Sequence, residues 1–160
     1  YKRQLCESEL VGIAKKIMDS SNVPLPSDVV IAKDCHADSV PVVKAVSEIE
    51  DDDIILDIGP ETAGNFSDLI ESMRTVIWNG PMGVFEFPQF SRGTESIALA
   101  VARNEGFSIA GGGETIAAID RFAVGNDISY ISTGGGAFLE FVQGGQLPAV
   151  QILKEKSSNF

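Results

Sequence analysis

The sequence has 160 residues, of which 44% are hydrophobic and 22% are charged, a size and composition typical of one soluble globular domain. Its formal net charge of −11 argues against nucleic acid or an anionic membrane surface as a partner, because both carry negative charge. The two cysteines, Cys6 and Cys35, have neither the density of a disulfide scaffold nor the spacing of a zinc site. No run is apolar enough for a membrane span and no signal peptide is recognisable, so we expect a cytoplasmic protein.

The first fifty residues predict one amphipathic helix followed by short strands. Leu10, Ile13 and Ile17 form an apolar stripe along a helix over residues 7–20. Prolines break the pattern at residues 22–27, and residues 28–32 have the composition of a strand. Residues 41–49 are β-branched but short, which favours a strand outside the main sheet. We interpret the acidic residues 50–53 as a solvated turn, since they lack the alternation of a calcium loop.

From residue 54 onward, apolar strands alternate with helical segments. The pattern predicts strands at residues 54–56, 75–78, 107–110 and 128–132, and helices near residues 61–72, 93–104, 115–122, 137–142 and 147–156. This alternation predicts an α/β fold with a three-layer, Rossmann-like parallel sheet and helices on both faces. Ligands of such sheets bind at the carboxyl ends of the strands.

Glycine-rich turns follow the predicted strands at that edge. They are residues 79–83 (NGPMG), 111–115 (GGGET) and 133–136 (TGGG), with a looser junction at residues 57–60 (DIGP). A turn needs one special backbone angle but rarely three consecutive glycines, so close approach of backbone amides to an anion explains them better. The sequence therefore predicts that the protein binds phosphate groups.

Residues 111–115 provide the most specific candidate site. The amides of Gly112 and Gly113 would meet phosphate oxygens, Glu114 would hold Mg²⁺, and Thr115 would donate a hydrogen bond to a phosphate. The alternative is that Glu114 only complements the helix dipole and the glycines only make a tight turn. Near the glycine-rich turns, only Arg92 and Arg121 are plausible cations. Nucleotide phosphates normally need more positive charge, so we expect either a metal or cations from outside the chain to assist.

Residues 79–86 would form a wall beside the ligand, on which Glu86 could accept hydrogen bonds from a ribose diol. The alternative is that Glu86 is an exposed loop carboxylate. We expect Trp78 in the core. His36 next to Cys35 is interpreted as structural, since the chain lacks the partners of a catalytic triad.

Residues 78–86, 111–115 and 131–137 closely resemble phosphoglycerate kinases, and residues 56–60 and 147–150 fit the same family in the same order. The resemblance runs from about Cys6 to the C-terminus and is to the bacterial type, whereas residues 1–5 fit poorly. It implies phosphoryl transfer between 1,3-bisphosphoglycerate and ADP, giving 3-phosphoglycerate and ATP. Residues 1–160 would be part of the C-terminal nucleotide-binding domain, truncated at its N-terminal side. We expect the absent substrate-binding domain to precede them in the same monomeric chain.

The resemblance also implies a role for individual residues. Leu56 would wall the adenine slot, Glu86 would bind the ribose, and Asn79 and Pro81 would lie on the nucleotide-facing loop. The phosphates and metal would meet Gly112, Gly113, Glu114 and Thr115. Gly113 would also share a catalytic role with Gly134, Gly135 and Gly136, which would stabilise the phosphoryl group in transit.

Two departures from the family bear on this interpretation. The family's usual metal ligand is Asp, and the longer Glu114 would weaken or reposition Mg²⁺. The missing domain and missing strands imply that the 160 residues alone are inactive and leave an open sheet edge and uncovered apolar faces. Two alternatives remain: a non-catalytic nucleotide-binding module, and an interaction piece whose glycines serve packing only.

Overall fold

The computed structural model describes residues 7–157, and every predicted helix and strand is found there within a few residues of its expected bounds. The strands are β1 (Asp28–Ala32), β2 (Val42–Ala45), β3 (Ile54–Ile58), β4 (Thr75–Trp78), β5 (Phe107–Gly111) and β6 (Tyr130–Ser132). The helices are α1 (Val11–Ser20), α2 (Pro60–Ser72), α3 (Arg92–Arg103), α4 (Gly113–Phe122), α5 (Gly136–Val142) and α6 (Pro148–Ser157). Among these helices, none has the length and apolar character needed to cross a membrane.

The six strands form two sheets. The predicted parallel sheet contains the last three strands in the order β4-β5-β6, flanked by helices, which confirms the α/β class. β1 and β3 instead lie in a second, antiparallel sheet of order β2-β1-β3. No helix separates β1 from β2, and a short connection suits an antiparallel pair better than a parallel crossover. The expectation that residues 41–49 lie outside the main sheet is confirmed by β2.

Two hydrophobic clusters hold the fold together. In the larger one, Trp78 and Ala110 of the parallel sheet pack with Ile97 and Val101 of α3 and Ile119 of α4. This confirms the expected core position of Trp78, which is 4% exposed. The smaller cluster joins Val30, Leu56 and Phe90 beside the antiparallel sheet. Burial of this apolar surface is the main favourable contribution to folding.

The face of the parallel sheet opposite Trp78 and Ala110 is only partly covered: Phe138 of α5 packs on Gly111, but the rest of this face is accessible to solvent. Ile77, Phe107 and Tyr130 share this face and are each about half exposed. On α1, the apolar stripe of Leu10, Ile13 and Ile17 is exposed as well. β4 pairs with β5 on one side only among the described strands. The predicted open edge and uncovered apolar surfaces are therefore present.

The acidic turn differs in one respect from its prediction. Glu50, Asp51 and Asp52 are exposed as expected, but Asp53 is buried. Lys33 and Lys44 each donate a hydrogen bond to its carboxylate across 2.8 Å, and they hold the pKa of Asp53 well below its usual value. A solvated position is thus wrong for Asp53, because two lysines, one just after β1 and one in β2, neutralise it. Cys35 is an exposed free thiol, whereas Cys6 and residues 1–5 lie outside the described residues.

Candidate functional site

Three of the glycine-rich turns meet at one cleft of about 260 Å³. The cleft lies at the carboxyl ends of the parallel strands, where α4 and α5 begin. Seven predicted site residues line it, together with Gly80 and Leu139: Asn79, Gly112, Gly113, Glu114, Thr115, Gly135 and Gly136. The fold thus assembles residues that are up to 57 positions apart in the sequence, as their placement after parallel strands predicted.

The start of α4 is available for a ligand in a way that the starts of α2 and α3 are not. Asp28 accepts hydrogen bonds from the amides of Glu61 and Thr62 in the first turn of α2, at 3.1 and 2.7 Å. Asp57 likewise accepts from the amide of Gly93 in α3 at 2.7 Å. Among residues 7–157, no side chain accepts a hydrogen bond from the first-turn amides of α4. Such amides carry partial positive charge and attract anions.

Gly112 allows the chain to enter α4 from β5. Its φ of +101° lies in a region that residues with a side chain rarely adopt. A Cβ atom at this position would also lie only 2.6 Å from Nδ2 of Asn79. Glycine is therefore required here both by the backbone angle and by the close approach of the neighbouring turn.

Asn79 and Thr115 hold two of the turns against each other. Asn79 donates from Nδ2 to the carbonyl oxygen of Gly111 at 2.6 Å, and the amide of Gly80 donates to Oγ1 of Thr115 at 2.7 Å. Thr115 is fully buried as a residue although it borders the cleft. Its hydroxyl accepts from Gly80 and still has a proton to donate. A structural role for Thr115 is observed, and the phosphate contact stays a prediction.

Glu114 is the one charged side chain among the residues that line the cleft. It is exposed and lies in the first turn of α4. Mg²⁺ is commonly held by one or two carboxylates together with phosphate oxygens and water, so this donor set fits a nucleotide-bound Mg²⁺. Arg92 borders a different cavity, and Arg121 lies 6.0 Å from the ring centre of Phe85. Neither arginine lines the cleft.

Four predicted site residues lie outside the cleft lining. Leu56 is buried in the smaller cluster, and its carbonyl oxygen accepts a hydrogen bond from Val84 at 2.8 Å. Glu86 is exposed and Pro81 half-buried, both on the loop of residues 79–86, hereafter the 79–86 loop. Gly134 is exposed next to the cleft, and its amide donates to Oγ of Ser132 at 3.3 Å.

A larger cavity of about 830 Å³ lies between the antiparallel sheet and helices α2 and α3. Its walls include Val30, Val43, Ala63 and Leu99, and none of the predicted site residues borders it. Size alone therefore does not identify the site. The smaller cleft is the better candidate because backbone amides and predicted side chains converge there.

Sequence reasoning missed three buried polar residues that hold helix starts or the 79–86 loop in place: Asp28, Asp57 and Thr94. Burial raises the pKa of Asp57 to about 6, although the amides of Gly93 and Ile58 donate to its carboxylate. Asp57 follows the apolar run of residues 54–56, so its position in the sequence could have suggested a helix-capping role. Thr94 gives no such signal, because it appears as an ordinary residue in the first turn of α3.

Together, the parallel sheet, the amide-lined cleft at its carboxyl edge and the single carboxylate define an α/β domain with a candidate anion-binding site. The family model described as phosphoglycerate kinase matches residues 1–145. The chain belongs to the phosphoglycerate kinase family.

Solved structures support this assignment. The chain is 39% identical to the phosphoglycerate kinase from Coxiella burnetii, with a TM-score of 0.90 over 99% of this chain and 42% of that one. It is 32% identical to the enzyme from Pyrococcus horikoshii OT3, with a TM-score of 0.83 over 96% of this chain and 38% of that one. The chain therefore spans about two fifths of the length of these relatives.

Proposed function

We propose that this chain is the nucleotide-binding part of a phosphoglycerate kinase, located in the cytoplasm. The reaction is transfer of a phosphoryl group between 1,3-bisphosphoglycerate and ADP, giving 3-phosphoglycerate and ATP. Residues 1–160 are part of the C-terminal domain in this proposal, and the phosphoglycerate substrate binds to a domain outside them. The family assignment and the assembly of seven expected residues around one cleft support it.

The observation that carries the proposal is the uncapped start of α4 at that cleft. In α2 and α3, buried aspartates occupy the first-turn amides, so those helix ends cannot receive a ligand. The first turn of α4 has no such partner among the described residues and faces a space that a phosphate chain can enter. A negatively charged ligand is the natural partner for these amides.

Each residue then has a defined part in binding. The amides of Gly112, Gly113 and Glu114 hold nucleotide phosphates, and Gly135 and Gly136 line the side from which the phosphoryl group passes, next to Gly134. Thr115 donates its remaining hydroxyl proton to a phosphate oxygen, and Asn79 keeps the opposite wall in place. Leu56, Pro81 and Glu86 lie towards the adenine and ribose. In phosphoryl transfer the protein acts by positioning and charge stabilisation, because no covalent intermediate with the protein is required.

Glu114 is the residue that would hold Mg²⁺, which when bound neutralises charge on the nucleotide phosphates. The side chain of Glu114 is longer than that of the family's usual Asp, so its carboxylate lies about one carbon–carbon bond further from the helix. The affinity for Mg-ADP is therefore expected to increase in a Glu114→Asp variant.

The proposal is tested by titrating the protein with Mg-ADP in a calorimeter and by following its amide NMR signals. We expect binding heat, and chemical shift changes at Gly112, Gly113 and Glu114. Absence of both would reject nucleotide binding and favour a packing role for the glycines.

A coupled assay should detect no ATP formation by the 160 residues alone, since the phosphoglycerate-binding part lies outside them. Inactivity of the full-length protein, with Mg-ADP binding intact, would instead identify a non-catalytic nucleotide-binding module.

A further inference from the structure

The 79–86 loop is fastened at both of its ends. At the cleft, Asn79 donates a hydrogen bond to Gly111 at the end of β5, and Gly80 donates one to Thr115 in the first turn of α4. At the other end, the amide of Val84 donates to the carbonyl oxygen of Leu56 in β3 at 2.8 Å. The loop therefore spans from the phosphate end of the site to the strand that carries Leu56.

Thr94 holds the middle of this loop. Its Oγ1 accepts hydrogen bonds from the amides of Met82 at 3.1 Å and Gly83 at 3.3 Å, and Thr94 is completely buried. Within residues 7–157, no backbone acceptor meets these two amides. Removal of the hydroxyl would leave both without a protein partner, so the loop would have to move to find water.

Asp57 supports the same loop from β3, through close packing against Gly83. Its carboxylate accepts from the amide of Gly93 in α3 and lies between two glycines. A Cβ atom at Gly83 would lie 2.5 Å from Oδ1 of Asp57, and a Cβ atom at Gly93 would lie 2.2 Å from it. The loop backbone and the start of α3 thus both pack directly on this one side chain.

We propose that Thr94 and Asp57 are positioning residues for nucleotide binding, because together they fix the 79–86 loop between β3 and the start of α3. They touch no ligand themselves. They set the position of Asn79 and of Glu86, the residues that the loop presents to the nucleotide. This inference rests on the proposed function and assigns to it two residues that the sequence analysis did not.

Another buried threonine, Thr62, provides a control for effects of the substitution on stability alone. Thr62 and Asp28 form the equivalent pair at the start of α2, where Oγ1 of Thr62 accepts from the amide of Asp28 at 3.1 Å. Thr62 is 1% exposed and its hydroxyl contacts no residue of the 79–86 loop. Thr62→Val should therefore destabilise the fold as Thr94→Val does, but without affecting the loop.

The experiment compares Thr94→Val, Thr94→Ser and Thr62→Val by calorimetry with Mg-ADP. We expect Thr94→Val to weaken binding by about tenfold, which is the effect of losing roughly one buried hydrogen bond. Thr94→Ser keeps the hydroxyl and should bind within about twofold of the wild type. Thr62→Val should bind like the wild type. Unchanged binding by Thr94→Val, or an equal loss in Thr62→Val, would overturn the inference.

Amide hydrogen exchange without ligand separates this inference from the proposed function. Thr94→Val should speed exchange at Met82 and Gly83, and Thr62→Val should not. If the wild type fails to bind Mg-ADP, the proposed function fails, while exchange still reports whether Thr94 fixes the loop. Unchanged exchange at both amides would reject the positioning role.

Gly83→Ala provides a second variant should Thr94→Val not fold, since it displaces the loop from Asp57. Wild-type affinity for Mg-ADP in this variant would also count against the inference.

Discussion

Asn79 donates a hydrogen bond from its side-chain amide to the carbonyl oxygen of Gly111 across 2.6 Å, and so ties the end of β4 to the end of β5. Gly111 is buried, so its carbonyl has limited access to water. Asn79, which we propose to lie on the nucleotide-facing loop, is therefore also a structural link between neighbouring strand ends.

An Asn79→Ala substitution tests this double role. We expect the free energy of unfolding to fall by about 1–3 kcal/mol, because the buried carbonyl of Gly111 loses its partner. Affinity for Mg-ADP should fall as well, since the wall of the cleft is released. Urea denaturation and calorimetry measure the two effects. Asn65→Ala, at an exposed position of α2, is the control and should change neither quantity.

Neighbouring glycines at the start of α4 should respond differently to the same change. Gly112→Ala places a Cβ atom at a φ of +101° and against Asn79, so we expect a loss of about 1–3 kcal/mol in stability. A Cβ atom at Gly113 meets nothing within 4 Å. Gly113→Ala should therefore keep the stability of the wild type, as measured by thermal unfolding. Equal losses in both variants would contradict the geometry at Gly112.

Glu114→Ala should affect the metal complex of the nucleotide selectively. We expect Mg-ADP to bind about tenfold more weakly, equivalent to about 1.4 kcal/mol, whereas ADP measured with EDTA should change little. Asp120→Ala removes an exposed carboxylate from the same helix outside the cleft and serves as the control. An equal loss for ADP with and without metal would remove Glu114 from the metal site.

The buried carboxyl of Asp57 should make stability depend on pH. Burial raises its pKa from 3.8 to about 6, so the folded state holds this proton more tightly than the unfolded state does. Between pH 3.8 and pH 6, the folded state therefore loses stability as the pH rises. Above pH 6 this loss totals about 3 kcal/mol. Other carboxylates, such as Asp28 with its lowered pKa, act in the opposite direction. The contribution of Asp57 must therefore be taken from the difference between wild type and variant.

Asp57→Asn cannot ionise and provides that difference. Urea denaturation at pH 4 and pH 7.5 should show the variant gaining about 2.4 kcal/mol relative to the wild type as the pH rises. A constant difference between the two proteins across this range would show that Asp57 does not titrate there. Asp120→Asn, at an exposed position, is the control and should follow the wild type.

Much of this domain could be predicted from its sequence, because the decisive patterns are local. From residue 54 onward, the alternation of apolar strands and helices located the strands and α-helices, and the glycines after the parallel strands indicated where the cleft lies. The antiparallel pairing of β1 with β3 could not be read in the same way, since it depends on which strands are available to pair. Thr94, Asp57 and Asp53 were missed for a related reason: each acts on a partner distant in the sequence, and only the folded chain brings the two together.

The proposed nucleotide binding at the cleft should depend on ionic strength in an unusual way. The one charged residue that lines the cleft is acidic, and the 160 residues carry a formal net charge of −11, so their long-range field repels an incoming anion. Salt shortens the range of that repulsion to about 8 Å at physiological concentration but has less effect on short contacts to amides. Stopped-flow measurements should show that ADP associates faster as salt is added. At a site built on lysines and arginines, added salt would instead lower the association rate.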